Sequence, residues 1–84
     1  MDHIVISFHP FVIAQEISAY INDECVETKK CILAEMSQTC YELCKKHSIK
    51  QIDYCGSPAY GKQLEKSIRN MNITDFSNIE FNYY

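Results

Sequence analysis

Hydrophobic residues recur along this chain with two different periods, and the order of these periods is the strongest constraint on its fold. Most of the first thirty residues show the period of two that is typical of β-strands, and so do two short later segments. Two segments between them show the helical period of 3.6 residues. This order predicts a β-β-β-α-β-α-β chain, and 84 residues are enough for one domain, 1–84.

Three strands are expected before the first helix. Residues 4–8 form the first, which ends at His9-Pro10 because proline cannot donate to a ladder. Residues 12–21 form the second, and Asn22-Asp23-Glu24 supplies the turn of a hairpin. Residues 25–30 form the return strand. The second strand is expected to turn Ile13, Ile17, Ala19 and Ile21 toward one face.

The period changes near Ala34, where the first helix is expected to begin. It runs for about four turns. Lys45, Lys46 and His47 fall in its last turn, where cations suit the helix dipole. The positions expected to face inward are Met36, Cys40, Leu43, Cys44 and His47.

The second half of the chain repeats the alternation of strand and helix. Residues 49–55 form a strand. Ser57 is a good N-cap and Pro58 a good first residue for a helix over residues 58–70. Residues 79–83 form the final strand. The helix is expected to turn Tyr60, Leu64, Ser67, Ile68 and Met71 inward.

These connections predict a mixed sheet with one wet face. A hairpin followed by two strand–helix–strand crossovers combines antiparallel and parallel pairs. Right-handed crossovers that step in one direction place both helices on the same face. The expected fold class is a two-layer α/β sandwich. The face without helices is expected to carry Ser7, Glu16, Ser18, Tyr20, Asp53, Glu80 and Asn82.

Composition excludes several classes of protein. The chain is 46% hydrophobic and 23% charged, with two Gly and two Pro, which excludes collagen-like and disordered chains. Its apolar runs are far shorter than the roughly 20 residues that cross a bilayer, and its first residues lack the features of a signal peptide. We therefore expect a cytoplasmic protein without a membrane partner, whose five cysteines are reduced and mostly buried.

Charge is distributed unevenly along the chain. The net charge of −3 does not draw the whole protein to nucleic acid or anionic lipid. Residues 1–28 carry five acidic and no basic side chains, whereas residues 29–72 carry all eight basic side chains against four acidic ones. One basic side is one interpretation of this asymmetry, and solvated helix faces are the other.

One stretch and the order of elements point to a known superfamily. The stretch Val5-Ile6-Ser7-Phe8-His9-Pro10 resembles the apolar strand, ending in Asp-Pro or Asp-Gly, that opens ribonuclease H-like domains. The order of elements, with the first strand central and an expected strand order 3-2-1-4-5, resembles the core shared by Holliday-junction resolvases and actin-like ATPases. His9 stands where the family has its metal-binding Asp, and Asp53 is the only acidic residue near a matching position. The resemblance implies the ribonuclease H-like fold, whereas this departure from the family's pattern predicts a minimal relative without catalytic residues, metal or cofactor, and without nuclease activity.

The carboxyl ends of the first and fourth strands form the main candidate ligand site. Ligands of open α/β sheets favour this end of parallel strands, and the start of the second helix offers free N–H groups to an anion. Ordinary helix capping is the competing interpretation. The residues concerned are His9, Gly56, Ser57, Tyr60 and Gly61.

Two cysteine hypotheses are weighed against simple burial. Cys40, Cys44 and His47 share one helical face and would need Cys31 or Cys55 to complete a zinc site. Cys55 with His9 is the one pair that suits a nucleophile and its base. Buried thiols in a core stripe explain the helical spacing equally simply.

Three surfaces suggest macromolecular partners. Lys62, Lys66 and Arg69 line one face of the second helix and would meet a nucleic-acid backbone, although Glu65 interleaves with them. The last strand is expected at a sheet edge without Lys or Pro to prevent pairing. The expected function is therefore a non-enzymatic interaction or assembly module that binds a protein partner or itself, through this edge or the polar sheet face. Small-ligand or nucleotide binding and nucleic-acid processing are the alternatives. The edge residues are Ile79, Phe81, Tyr83 and Tyr84.

Overall fold

Five strands and two α-helices follow one another in the predicted order. The structure is a computed structural model that describes residues 2–71 and 78–84. A single turn of 3-10 helix over Leu33–Glu35 precedes the first α-helix. The elements are β1 (His3–Ser7), β2 (Gln15–Ile21), β3 (Glu24–Cys31), α1 (Met36–His47), β4 (Gln51–Cys55), α2 (Pro58–Arg69) and β5 (Glu80–Tyr83).

The strands form one mixed sheet in the order β3-β2-β1-β4-β5. β1 and β3 both pair antiparallel with β2. β4 lies parallel to β1 on one side and to β5 on the other. The predicted fold class and the strand order 3-2-1-4-5 are therefore confirmed, and β5 is an edge strand as expected.

Both helices pack on the same face of the sheet and enclose one core. Ile4 and Ile6 of β1 are completely buried at its centre, because β1 is the middle strand and lies beneath the helices. The inward stripe predicted for α1 is confirmed for Met36, Cys40, Leu43 and Cys44. Burial of these side chains is the main favourable term for so short a domain. No helix in the described ranges is long and apolar enough to cross a membrane.

The helix ends follow the chemistry expected of their residues. Ser48 ends α1 in a left-handed conformation, with φ of 56°. The Ser57 hydroxyl caps α2 by accepting from the backbone N–H of Tyr60 at 3.4 Å, and Pro58 occupies the first turn. The cap fixes where the chain turns from β4 into the helix.

Two inward positions were predicted wrongly. β2 begins at Gln15 rather than residue 12, and Ile13 is 86% exposed, because a turn holds the preceding residues out of the ladder. Ser67 is exposed because α2 contacts the core along Gly61, Leu64 and Ile68. Ser67 lies about 100° around the helix axis from Ile68.

Candidate interaction site

The connection between β1 and β2, residues 8–14, carries a turn with an exposed aromatic tip. The N–H of Val12 donates to the carbonyl of His9 at 3.4 Å, which closes a turn with Pro10 and Phe11 at its centre. Proline fixes φ at the second position of such a turn. Phe11 therefore lies at the apex, where its side chain is 99% exposed.

The side chain of Gln15 holds this turn from below. Its Oε1 accepts from the N–H of His9 at 2.8 Å, and its Nε2 donates to the carbonyls of His9 and Val12 at 2.8 and 3.1 Å. Gln15 is itself buried, and its amide bonds compensate for its removal from water. The side chain of Gln15 thus fixes the loop to the sheet, in addition to the single backbone hydrogen bond that closes the turn.

Exposed hydrophobic residues concentrate at this end of the sheet. Seven large hydrophobic side chains are exposed in the described part of the chain, and five of them belong to the loop or to the segment after β3. We call these five the apolar tip. They are Phe11, Val12, Ile13, Ile32 and Leu33.

Strand register and one tyrosine place the two segments of the apolar tip at the same end of the sheet. Gln15 pairs with Cys31 at the end of the β2–β3 ladder, so the loop before Gln15 and the segment after Cys31 leave the sheet side by side. Tyr60 links the two segments, since its ring stacks on Phe8 at the start of the loop at 4.6 Å and its hydroxyl donates to the carbonyl of Leu33 at 3.4 Å. The five residues of the apolar tip therefore belong to neighbouring segments at one end of the sheet.

A cleft of about 200 Å³ opens beside the apolar tip on the polar sheet face. Glu16 and Lys30 form an ion pair at its rim, with 3.7 Å between Oε1 and Nζ. Both side chains remain more than half exposed, so the pair is open to exchange with other partners. We call this feature the loop cleft, and it is lined by Ser7, His9, Val12, Ala14, Glu16 and Lys30.

The predicted ligand corner falls next to this region, and several of its polar groups bond within the protein. The N–H groups of Tyr60 and Gly61 donate to the Ser57 side chain and carbonyl. The ring of Tyr60 is stacked on Phe8, and its hydroxyl lies 3.4 Å from Met36 Sδ. Burial raises the pKa of Tyr60. These groups serve capping and packing in the structure, while ligand binding at the corner stays a prediction.

Both glycines of the corner permit close approaches between elements. Gly56 has φ of 145°, and a Cβ there would lie 2.7 Å from the Cβ of Phe8. A Cβ on Gly61 would lie 2.6 Å from the ring of Tyr54 and 2.8 Å from that of Tyr83. The second glycine thus lets α2 rest directly on the aromatic residues of β4 and β5.

Asp53, one of the acidic residues expected on the polar sheet face, accepts hydrogen bonds from two side-chain amides. Asp53 accepts from Asn82 Nδ2 at 3.0 Å and from Gln51 Nε2 at 3.2 Å. Within residues 2–71 and 78–84, no three His, Cys, Asp or Glu side chains are grouped closely enough to hold a metal ion.

The cysteines divide into three buried and two exposed thiols. Cys31, Cys40 and Cys44 are buried, and Cys25 and Cys55 are exposed. A hydrogen bond with Cys44 and burial raise the pKa of Cys40, and burial raises that of Cys31. Cys31 and Cys40 therefore stay protonated, as expected of core residues.

His47 and the basic row of α2 make contacts within the domain. His47 Nε2 lies 2.9 Å from Glu27 Oε1 and not against the cysteines of its own helix. Arg69 pairs with Glu65 at 2.8 Å, and the ammonium of Lys62 lies 5.2 Å from the centre of the Tyr83 ring. Of the predicted nucleic-acid row, Lys66 is exposed on the same helix.

At the predicted edge strand, β5, the groups that face outward are mainly backbone groups. Ile79 is buried, Phe81 and Tyr83 pack against the core, and Tyr84 is 74% exposed. The N–H groups of Glu80 and Tyr84 donate at 2.8 Å to the carbonyls of Lys50, just before β4, and of Tyr54 in β4. Since parallel pairing alternates, the N–H and C=O groups of Phe81 and Tyr83 point outward.

The apolar tip was missed by the sequence analysis. Its signal was present in Pro10-Phe11-Val12-Ile13, in which proline at a turn is followed at once by three large hydrophobic residues. The apparent alternation through Ile13 and Ile17 hid this signal, because it extended the second strand backward over the loop.

Comparison with known proteins gives no relative for this chain. No family model, no curated protein and no solved structure matches it. We therefore infer the function from the geometry of the described residues.

Proposed function

We propose that this domain is a non-enzymatic protein-interaction module that binds through the apolar tip and the adjoining end of the polar sheet face. One observation carries the proposal: five of the seven exposed large hydrophobic side chains in the described residues belong to two neighbouring segments at this end of the sheet, with Phe11 99% exposed. Single exposed hydrophobic residues are ordinary, whereas their concentration in one region is typical of a binding surface.

The rigidity of the loop favours binding over incidental exposure. The three hydrogen bonds of Gln15 fix the turn before any partner arrives. A partner then gains the burial of Phe11 without the entropic cost of ordering the loop. Aromatic residues presented in this way often dominate the energy of an interface.

The outer edge of β5 is a second docking surface within the same proposal. Phe81 and Tyr83 direct unpaired backbone groups outward, and an extended segment of a partner chain would extend the sheet there. The edge is only four residues long, so a partner strand would form only a few backbone hydrogen bonds there.

We also propose that the domain is a minimal, cytoplasmic, ribonuclease H-like protein without catalytic activity. The strand order and the mixed sheet support the relationship. The engagement of Asp53 by Asn82 and Gln51 supports a structural use of the carboxylate. Incubation of duplex and hybrid substrates with Mg²⁺ or Mn²⁺ tests the proposal, because cleavage that Asp53→Ala abolishes would refute it.

Photo-crosslinking tests the interaction function directly. A photoreactive benzoyl-phenylalanine replaces Phe11 in the full chain, expressed in the cells that naturally produce it. A discrete crosslinked protein band is expected after irradiation. The same amino acid at Lys66, exposed on α2, is the matched control, and at Tyr84 it reports on the β5 edge. If Phe11 and Lys66 give the same crosslinking pattern, the proposal is wrong.

A further inference from the structure

We propose that the partner of the apolar tip is a second copy of this chain, and that the two copies exchange Phe11 side chains across a two-fold axis. Each Phe11 enters the loop cleft of the other copy. This inference deepens the proposed function and rests on it. It names the occupant of both the apolar tip and the loop cleft.

The loop cleft has the size that a phenyl ring requires. Its volume is about 200 Å³, whereas a closed apolar cavity of about 150 Å³ holds a benzene ring. The cleft is open to solvent and Val12 is one of the residues that line it, so a ring can enter it from outside the protein. Phe11, at 99% exposure, projects far enough from its own turn to reach into another molecule.

The lining of the cleft suits an aromatic occupant. Val12 and Ala14 offer apolar walls. Lys30 and His9 lie at the polar side, where an ammonium group and an imidazole ring can both pack against the face of a phenyl ring. An aliphatic side chain would gain the apolar contacts with Val12 and Ala14 but not the ring-face contacts with Lys30 and His9.

The position of the cleft favours a two-fold arrangement. Phe11 and the cleft residues Val12 and Ala14 belong to one short loop. Two copies facing each other can therefore make both insertions at once, as an isologous interface requires. The rim carries one Glu16 and one Lys30, so each carboxylate can face the other copy's ammonium without repulsion.

Charge favours a protein over an anionic lipid surface as the occupant. The loop, residues 8–14, carries no Lys or Arg, and the single carboxylate and single ammonium at the rim of the cleft pair with each other. The rim therefore offers no net positive charge to anionic headgroups. The apolar tip consists of only five residues, which predicts a weak dimer, with a Kd of about 10–100 μM.

Sedimentation equilibrium up to about 200 μM tests the dimer, since a Kd near 100 μM is measurable there. The wild type is expected to dimerise, and Phe11→Ala is expected to weaken dimerisation at least tenfold. Val26→Ala removes an exposed hydrophobic side chain from β3 and is the matched control, expected to dimerise as the wild type does. A monomeric wild type, or a Phe11→Ala variant that dimerises normally, would overturn the inference.

Complementation makes the test specific for insertion. Ala14→Leu fills the cleft and leaves Phe11 intact, and alone it is expected to dimerise as weakly as Phe11→Ala does. An equal mixture of the two variants is expected to regain association, because one Phe11 then meets one open cleft. The inference is wrong if both variants fold and their mixture stays monomeric.

A charge exchange provides a second complementation pair if Ala14→Leu fails to fold. Glu16→Lys and Lys30→Glu each create like charges across the two-fold axis, and only their mixture restores opposite charges. Dimerisation of the mixture in excess of either variant alone is expected. Equal association of all three samples would contradict the two-fold arrangement.

The failure of this inference is distinguishable from failure of the proposed function. A crosslink from position 11 to a different protein, with a monomeric wild type, keeps the interaction function and excludes the second copy. Co-sedimentation with phosphatidylcholine–phosphatidylserine vesicles that depends on Phe11, without a dimer, would contradict both in favour of a lipid surface.

Discussion

The two edge strands of the sheet, β3 and β5, differ in what limits their pairing with a strand of another chain. β3 is an edge of eight residues and β5 an edge of four, and each presents backbone groups that a foreign strand could pair with. β3 is long but protected, whereas β5 is short and bare.

Protection of β3 comes from irregularity and charge. Its register with β2 shifts at Val26, because Ala19 pairs with Glu27 and Tyr20 pairs with Cys25. This bulge breaks the flat ladder that a second strand would need, and Lys29 and Lys30 add charge along it. β5 has neither device, so its shortness is the main limit on pairing.

Each edge strand is also tied to the helix beneath it. On β3, the carboxylate of Glu27 lies 2.9 Å from both His47 Nε2 and Lys46 Nζ of α1. On β5, the hydroxyl of Tyr83 donates to Glu65 of α2. The first tie is ionic and lies near the surface, whereas the second accompanies aromatic packing. The comparison teaches that the two edges should respond differently to pH and to changes in packing.

The largest effect that we expect is a difference in amide hydrogen exchange between neighbouring residues of the β5 edge. In dilute protein, the outward N–H groups of Phe81 and Tyr83 should exchange about 100-fold or more faster than those of Asn82 and Tyr84, which face β4. Two-dimensional NMR after transfer to D₂O measures this. Equal protection of all four amides would show that another chain covers the β5 edge.

Gly61→Ala should be the most destabilising of the side-chain changes considered. The new Cβ would approach the rings of Tyr54 and Tyr83 to 2.6 and 2.8 Å, so β5 or α2 must move. We expect a loss of about 1–3 kcal/mol in the free energy of unfolding, despite the better helix propensity of alanine. Urea denaturation measures it. Ser67→Ala, at an exposed position of the same helix, is the control and should be neutral or slightly stabilising.

Tyr83→Phe should remove a pH dependence at the alkaline end. Burial and the neighbouring Glu65 raise the pKa of Tyr83 to about 12, so the neutral phenol contributes its full stability below pH 10 and loses it between pH 10 and 12. The variant should be about 1–2 kcal/mol less stable at pH 7 and should lack this decline.

The stability at acid pH gives a second test of the hydrogen bond between Tyr83 and Glu65. The hydrogen bond from Tyr83 holds the pKa of Glu65 below its ordinary value, so its contribution is present above about pH 4.5 and is lost as the pH falls. Tyr84→Phe is the control, since Tyr84 is largely exposed. If both variants show the same pH profile as the wild type, the tie between β5 and α2 is unimportant.

Glu27→Gln on the opposite edge should have the smallest effect. His47 and Lys46 lower the pKa of Glu27, so its stabilising contribution is present above about pH 4.5 and is lost as the pH falls. We expect a small fall in Tm at pH 7 that disappears in acid and at high salt. Glu24→Gln, on the same strand, is the control. A loss of stability as large as that caused by Gly61→Ala would mean that β3 depends on its contact with α1 as strongly as β5 depends on its packing against α2.

The sequence predicted the fold well because its signals were local and consistent. Alternation in β1 and β4, the helical stripe through Met36 and Leu43, and the Ser57-Pro58 cap each predicted one element from a few neighbouring residues. The apolar tip was not predicted. His9 lines the loop cleft, and its predicted role in binding stays a prediction. The exposed apolar tip depends on a turn whose stabilising partner, Gln15, lies six residues away from His9.

The sequence by itself determined the order of elements, the sheet topology and the inward face of α1, because these follow from periodicity and from the limits on connecting strands. Only the tertiary structure decided which hydrophobic residues remain outside. Ile13 and Ile17 look alike in the sequence, yet one is 86% exposed and the other completely buried. The difference arises because the buried amide of Gln15 bonds to the backbone of His9 and Val12, which turns the loop away from the ladder. No local pattern encodes a contact of that kind, since it exists only once the strands have paired.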